Sequence, residues 1–241
     1  MKKFWGFLLV IVLMTSCGEY QSLLKSNDYN LVYKKAIEYY NKGDYQRAMN
    51  LLDGVRSVFV GQAKAQNIAY YRAFCSYNMK DYQIASDLFK QFIQTYPESS
   101  FAEECLYMMG FCDYKASPKP RLDQQVTEKA IREFQLYLSR YPYSMRKDKV
   151  NTYMDEMRDK LSYKAYLSAK NYYLREHYKA AVISLQNCLK DYPGSKYREE
   201  IMYMLFVSKY QMAVNSVEDK KVERYNNARE EYYYFADEYP N

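Results

Sequence analysis

Few side chains in this sequence could carry acid–base or nucleophilic chemistry. The only histidine, His177, sits between Glu176 and Tyr178, where a turn is expected. A general base needs an orienting partner and a substrate cleft, and a turn histidine more often lies in solvent. The pairs Glu103-Glu104 and Glu199-Glu200 could suggest glycoside hydrolysis, but adjacent residues on a helix do not face each other. Nucleophile-elbow, P-loop and dinucleotide-binding fingerprints are absent. Cys75, Cys105, Cys112 and Cys188 lack the CxxC or Cys–His spacing of a metal site. Cys105 and Cys112 would stand on one helix face with Cα atoms about 10 Å apart, beyond disulfide reach. Buried free thiols are expected. No catalytic residue, metal or cofactor is therefore expected, and the chemistry must lie in binding.

The N-terminus carries an address. Lys2 and Lys3 precede an apolar stretch from Phe4 to Met14, then Thr15-Ser16-Cys17. That stretch is too short for a membrane-spanning helix of about 20 residues and reads as a cleaved export signal. Small residues ending in a cysteine resemble a lipobox, although Met14 stands where leucine is usual. The expectation is a signal peptide over residues 1–16, acylation of Cys17, and a lipid-anchored linker over residues 17–28; several acyl chains make a stable anchor where one would be marginal.

Loss of residues 1–16 removes two lysines and no acids, so the formal charge falls from +6 to +4. Basic and acidic residues interleave, as in Lys147-Asp148-Lys149, and form no stripe of the kind nucleic acid would need. Hydrophobic residues make up 49% of the chain, enough for a core, while 7 glycines and 6 prolines are too few for a many-stranded β-fold. Long helices are expected.

Internal repetition decides the fold. Tyr96-Pro97, Tyr141-Pro142, Tyr192-Pro193 and Tyr239-Pro240 each follow an alanine, at Ala85, Ala130, Ala181 and Ala228, by 11 residues. Ala48 precedes Phe59-Val60 by the same 11, so five units share one register. An aromatic three residues before the alanine (Tyr45, Tyr82, Tyr178) follows Gly43-Asp44, Lys80-Asp81 or Glu176-His177, which read as the turn between two helices. A small residue 12 before the alanine (Ala36, Ala73, Ala169) lets the first helix approach its neighbours, and Leu52, Phe89, Phe134 and Leu185 follow it by four. This is the tetratricopeptide (TPR) pattern, in which each helix pair buries its apolar face against the next. The fold class expected is all-α, a right-handed TPR-like helical-repeat solenoid of about five helix-turn-helix repeats. Three insertions are expected: Ser117 to Arg121, whose prolines forbid a helix; a charged one at Ser216 to Glu223; and an amphipathic helix from Met145 to Leu161. Ser99, Phe101, Glu103-Glu104 and Tyr107-Met108 also align with Ser195, Tyr197, Glu199-Glu200 and Tyr203-Met204.

The first helices of repeats one and two carry a candidate binding surface. Asn30, Tyr33, Ile37, Tyr40 and Asn41 recur 37 residues later as Asn67, Tyr70, Phe74, Tyr77 and Asn78. In TPR architecture these positions line the inner groove, where asparagine can bond a peptide backbone and tyrosine can stack and donate its hydroxyl. Tyr166 and Tyr173 continue the series in repeat four. In a protein with 31 tyrosines, the same rings could instead pack helix on helix.

With the lipobox cysteine and five irregular TPRs, the chain resembles the BamD family, lipoproteins of the outer-membrane β-barrel assembly (BAM) machinery. The likeness is carried by Tyr107-Met108-Met109-Gly110, by Arg121-Leu122-Asp123-Gln124-Gln125, and by Ala169 through Ala181 followed by Asp191-Tyr192-Pro193. The chain departs from the family at Glu176-His177, where an Arg-Gly or similar pair is usual. It ends just after Tyr239-Pro240, so a terminal capping element is expected to be missing or to lie elsewhere. The resemblance implies a periplasm-facing scaffold at the outer membrane. Residues 29–97, repeats one and two, would receive unfolded outer-membrane proteins. Residues 98–241, repeats three to five, would hold a BamA-like barrel subunit through a POTRA domain, with other BAM lipoproteins as further partners. The spacing alone also suits another periplasmic TPR lipoprotein, such as a pilotin or a cell-envelope coordination factor.

Overall fold

A computed structural model describes residues 18–240 of the protein. The expected signal peptide, residues 1–16, and the expected acylation site, Cys17, lie outside the described residues. Within them the chain is helical, with no strand: α1 (residues 18–24), α2 (Tyr29–Asn41), α3 (Tyr45–Val55), α4 (Ala63–Asn78), α5 (Tyr82–Thr95), α6 (Ala102–Ala116), α7 (Gln125–Arg140), α8 (Lys147–Leu174), α9 (Tyr178–Asp191), α10 (Arg198–Val214) and α11 (Glu218–Glu238). Helices α2 to α11 form five consecutive pairs of TPR type, and the alanines of the shared register lie near the start of the second helix in the first four pairs and midway along α11 in the fifth. Ala48, Ala85, Ala130 and Ala181 are fully buried and Ala228 nearly so, as are Ala36, Ala73 and Ala169 on the first helices. Leu52, Phe89, Phe134 and Leu185, one turn beyond, are also fully buried, each stabilising the fold by about 1.5–3 kcal/mol.

The turns inside repeats one, two and four share one geometry. Gly43, Lys80 and Glu176 all have positive φ, at 81°, 67° and 60°. Each donates its amide to a carbonyl three residues back (Tyr40, Tyr77, Tyr173), and the next amide donates to a carbonyl five back (Tyr39, Ser76, Tyr172). This is the left-handed helix stop that glycine favours. Only repeat one supplies glycine; Lys80 and Glu176 adopt the conformation at the steric cost a Cβ imposes. Asp28 and Asp44 then cap α2 and α3, their carboxylates accepting from the amides of Leu31 (2.9 Å) and Arg47 (3.2 Å).

Two compact units result. One holds the residues up to Ser117 together with Val126–Lys147, and the other Pro118–Gln125 together with the residues from Asp148 onward. In the first unit the core runs through Val32, Leu51, Leu52, Val55 and Ile68. Gly110 on α6 is a close-approach position: a Cβ there would come within 2.9 Å of the Phe134 ring on α7. In the second unit Ala169, Leu185, Ile201 and Leu205 are central. Cys75, Cys105, Cys112 and Cys188 are free and buried, and burial pushes the thiols of Cys75 and Cys105 up to about 12 and that of Cys188 to about 11.

Three segments differ from expectation. Residues 18–24, expected within a linker, are helical because Tyr20 and Leu23 are buried in the core, where the Tyr20 hydroxyl accepts from Asn50 Nδ2 at 3.0 Å. The expected helix at Met145–Leu161 is not a separate insertion. With no glycine or proline from Lys147 to Leu174 to interrupt it, it runs directly into the first helix of repeat four as α8. The charged stretch at Ser216–Glu223 is largely the start of α11, whose first turn carries Glu218 and Asp219 where the helix dipole favours acids. Residues 117–124 are non-helical, and the buried Gln124 amide braces them by donating to the carbonyls of Lys119 and Leu122.

Candidate functional site

In the first unit, the first helices of repeats one and two and the start of α6 enclose a groove of about 530 Å³. Tyr33, Asn41, Asn67 and Tyr70 of the expected surface line it, with Ile37. The structure adds Lys34, Glu38, Tyr71 and Phe101, which lie outside the repeated positions of the expected surface. Phe101 carried a signal, since it aligned with Tyr197 of repeat five; Lys34, Glu38 and Tyr71 carried none that distinguished them from a solvated helix face.

The remaining candidates are engaged elsewhere. Asn30 is exposed and accepts from Lys64 Nζ. Tyr40 packs edge-on against Tyr45 (5.4 Å) and Tyr71 (4.9 Å), and its hydroxyl accepts from Asn78 Nδ2 at 3.5 Å. Burial pushes the Tyr40 phenol up to about 12. Phe74 lies edge-on to Phe89 at 5.0 Å, and Tyr77 lies against Tyr82 and Phe111. The same repeat pattern thus supplies both a groove lining and helix-to-helix packing.

The contact rule differs from the repeat rule. Residues equivalent by sequence in repeats one and two are 37 apart, yet three of the polar contacts between neighbouring first helices join residues 34 apart: Asn30 with Lys64, Tyr33 with Asn67, and Tyr70 with Glu104. Three residues is nearly one helical turn, so in these three pairs the side chain meets the turn before its own counterpart. Tyr70 donates to Glu104 Oε2 at 2.8 Å and packs on Phe101 at 4.6 Å. Burial, helped by the hydrogen bond and charge of Glu104, drives the Tyr70 phenol far above its ordinary range. Burial also raises Tyr33, against the Asn67 hydrogen bond that lowers it. Both hydroxyls are therefore neutral donors and acceptors. Glu104 meets one cation, Arg146, at 3.7 Å, and the Arg146 guanidinium lies 4.8 Å over the Tyr107 ring. The groove can thus offer apolar ring faces, an asparagine amide at each side, and a lysine and a glutamate at the rim.

The residues considered for catalysis are placed differently. His177 is exposed and precedes α9 without a side-chain cap bond. Glu103 is held by Tyr137 (3.0 Å) and Ser144 (2.7 Å), and Glu200 by Tyr166 and Lys170, both at 2.6 Å. Among the described residues no group of His, Cys, Asp and Glu could hold a metal ion, and no helix is long and apolar enough to cross a membrane.

Residues 25–224 match the YfiO family, described as outer membrane lipoprotein. The chain belongs to this family. That agrees with the resemblance drawn from the repeats, and it makes this an outer-membrane lipoprotein built on TPR-like pairs. Among the curated proteins none matches. Similar solved structures include the TPR2AB domain of yeast Sti1 in complex with pHSP90, 13% identical over 84% of this chain and 77% of that one, with a TM-score of 0.43. A MamA AMB-1 structure is 14% identical over 84% and 90%, with a TM-score of 0.35. A human IFIT1 dimer with PPP-AAAA is 16% identical over 94% and 58%, with a TM-score of 0.28. These likenesses are too distant to add to the fold described above.

Proposed function

We propose that this YfiO-family lipoprotein is a non-enzymatic scaffold of the outer-membrane β-barrel assembly machinery, anchored through acylated Cys17 and facing the periplasm. In this reading, repeats three to five hold a BamA-like barrel subunit through a POTRA domain and meet other BAM lipoproteins. The groove of repeats one and two receives unfolded outer-membrane proteins. The observation that carries the reading is the family match across residues 25–224 together with the groove built by Tyr33, Asn67, Tyr70 and Phe101. An extended chain rich in aromatic side chains suits such a lining, because rings bury large area there while the asparagines bond its backbone. The test is purification of the tagged protein from detergent-solubilised outer membrane. A BamA-like barrel should co-purify, and depletion should lower many unrelated barrel proteins. A pilus secretin or peptidoglycan factor in place of the barrel would reject the assembly role.

A further inference from the structure

A buried polar cluster joins α5, α6 and α7 in the first unit, away from the residues that line the groove. Asp113 on α6 is only 1% exposed; it accepts from Ser86 Oγ of α5 at 3.0 Å and pairs with Lys129 Nζ of α7 at 2.8 Å. Glu133, one turn after Lys129, is 8% exposed, with Oε1 3.7 Å from the same ammonium, and its Oε2 has no hydrogen-bond partner. The other charged or titratable groups facing the pair are Asp87 and Lys90 on α5 and the Cys112 thiol on α6. Asp87 is largely exposed and lies 3.8 Å from Lys129. One ammonium offsets one buried carboxylate, and here there are two within hydrogen-bonding reach of each other. Two carboxylates in such a site cannot both stay ionised, and an unpartnered buried oxygen is costly. A proton on Glu133 removes the excess charge and lets its carboxyl donate to Asp113.

We propose that Glu133 keeps its proton at neutral pH and donates it to the Asp113 carboxylate, and that this hydrogen bond is a catch fastening α7 to α5 and α6, released as pH rises. The pair supplies the catch: α7 brings Glu133, α6 brings Asp113, and Ser86 fixes Asp113 from α5. Burial first, then the hydrogen bond and charge of Asp113, push Glu133 up to about 8, against the opposing pull of Lys129 and Lys90. Because the folded chain binds this proton more tightly than the unfolded chain does, its stabilisation is complete below the ordinary glutamate value. It is lost as pH climbs through about 8.

The experiment compares urea unfolding of the full chain with that of Glu133→Gln, a neutral isostere, between about pH 5.5 and about pH 8.5. The ratio of the wild-type to the variant unfolding constant should rise on the order of tenfold or more across that range, since each unit of proton linkage is worth up to a decade. Hydrogen exchange, corrected for its intrinsic pH dependence, should quicken selectively in α7 of the wild type at the upper end and not in the variant. A constant ratio would overturn the proposal. Infrared spectroscopy of the wild type gives an independent readout should the variant fail to fold. A protonated carboxylic C=O band should be present at neutral pH and vanish on raising it, and its absence at neutral pH would reject the proton on Glu133.

Discussion

Tyr70 with Phe101 and Glu104 in the first unit and Tyr166 with Tyr197 and Glu200 in the second are the same device, 96 residues apart. Each tyrosine packs on the aromatic that precedes the next first helix, at 4.6 and 4.4 Å, and donates to its glutamate, at 2.8 and 2.6 Å. The surroundings differ. Where repeat two has Asn67 and Phe74, repeat four has Tyr163 and Lys170. Tyr163 stacks on Tyr166 and Tyr197, while Lys170 bonds both Glu200 and the Tyr166 hydroxyl. The Lys170 bond draws Glu200 below its ordinary value. The clamp thus recurs in repeats two and four, and what distinguishes the proposed groove is the smaller Asn67 beside Tyr70 where repeat four has Tyr163.

The largest effect tests the clamp as structure. Tyr166→Ala should cost about 3–4 kcal/mol in urea denaturation, because a nearly buried ring and its hydroxyl are lost together. Tyr70→Ala should cost less, about 2 kcal/mol, since that ring is partly exposed. Equal losses would erase the distinction between a closed and an open clamp. Next comes Asn67→Tyr, which installs the residue of repeat four. It should weaken binding of an aromatic-rich unfolded barrel peptide by about tenfold, equivalent to roughly 1.4 kcal/mol, while circular dichroism stays unchanged. The mirror change Tyr163→Asn should leave that affinity within experimental error. The smallest effect concerns the turns: Glu176→Gly and Lys80→Gly should each stabilise by about 0.5–1 kcal/mol, because a left-handed residue loses its Cβ strain. No gain at either site in thermal melts would show that tertiary packing has already absorbed the strain.

The helix pairs were legible in the sequence because their determinants are local and repeated. The alanines at 48, 85, 130, 181 and 228, the turn pairs and the Tyr-Pro stops each impose steric demands that recur in register. The groove was legible only in part. A 37-residue equivalence identifies which positions share a face. It does not reveal the turn of offset that makes Tyr33 meet Asn67 and Tyr70 meet Glu104, because that offset comes from helix-to-helix packing. Asn30 and Tyr40 sit on the expected face, yet Lys64 engages the first and a ring cluster the second. The acidic pair Asp113 and Glu133 gave no pattern signal at all, being 20 residues apart on different helices. Helix α8 is the long helix that the excess spacing pointed to, and it runs on past Leu161 because nothing in Lys147–Leu174 could stop it.

The most direct test of the groove is a fluorescence-anisotropy titration of a labelled, aromatic-rich peptide from an unfolded outer-membrane barrel protein. It would use the wild-type chain and the double variant Tyr33→Ala/Asn67→Tyr, with folding of both checked by circular dichroism. Weakening by about a hundredfold, roughly 2.7 kcal/mol, is the predicted result. Unchanged affinity in a folded double variant would contradict the assignment of repeats one and two as the substrate groove.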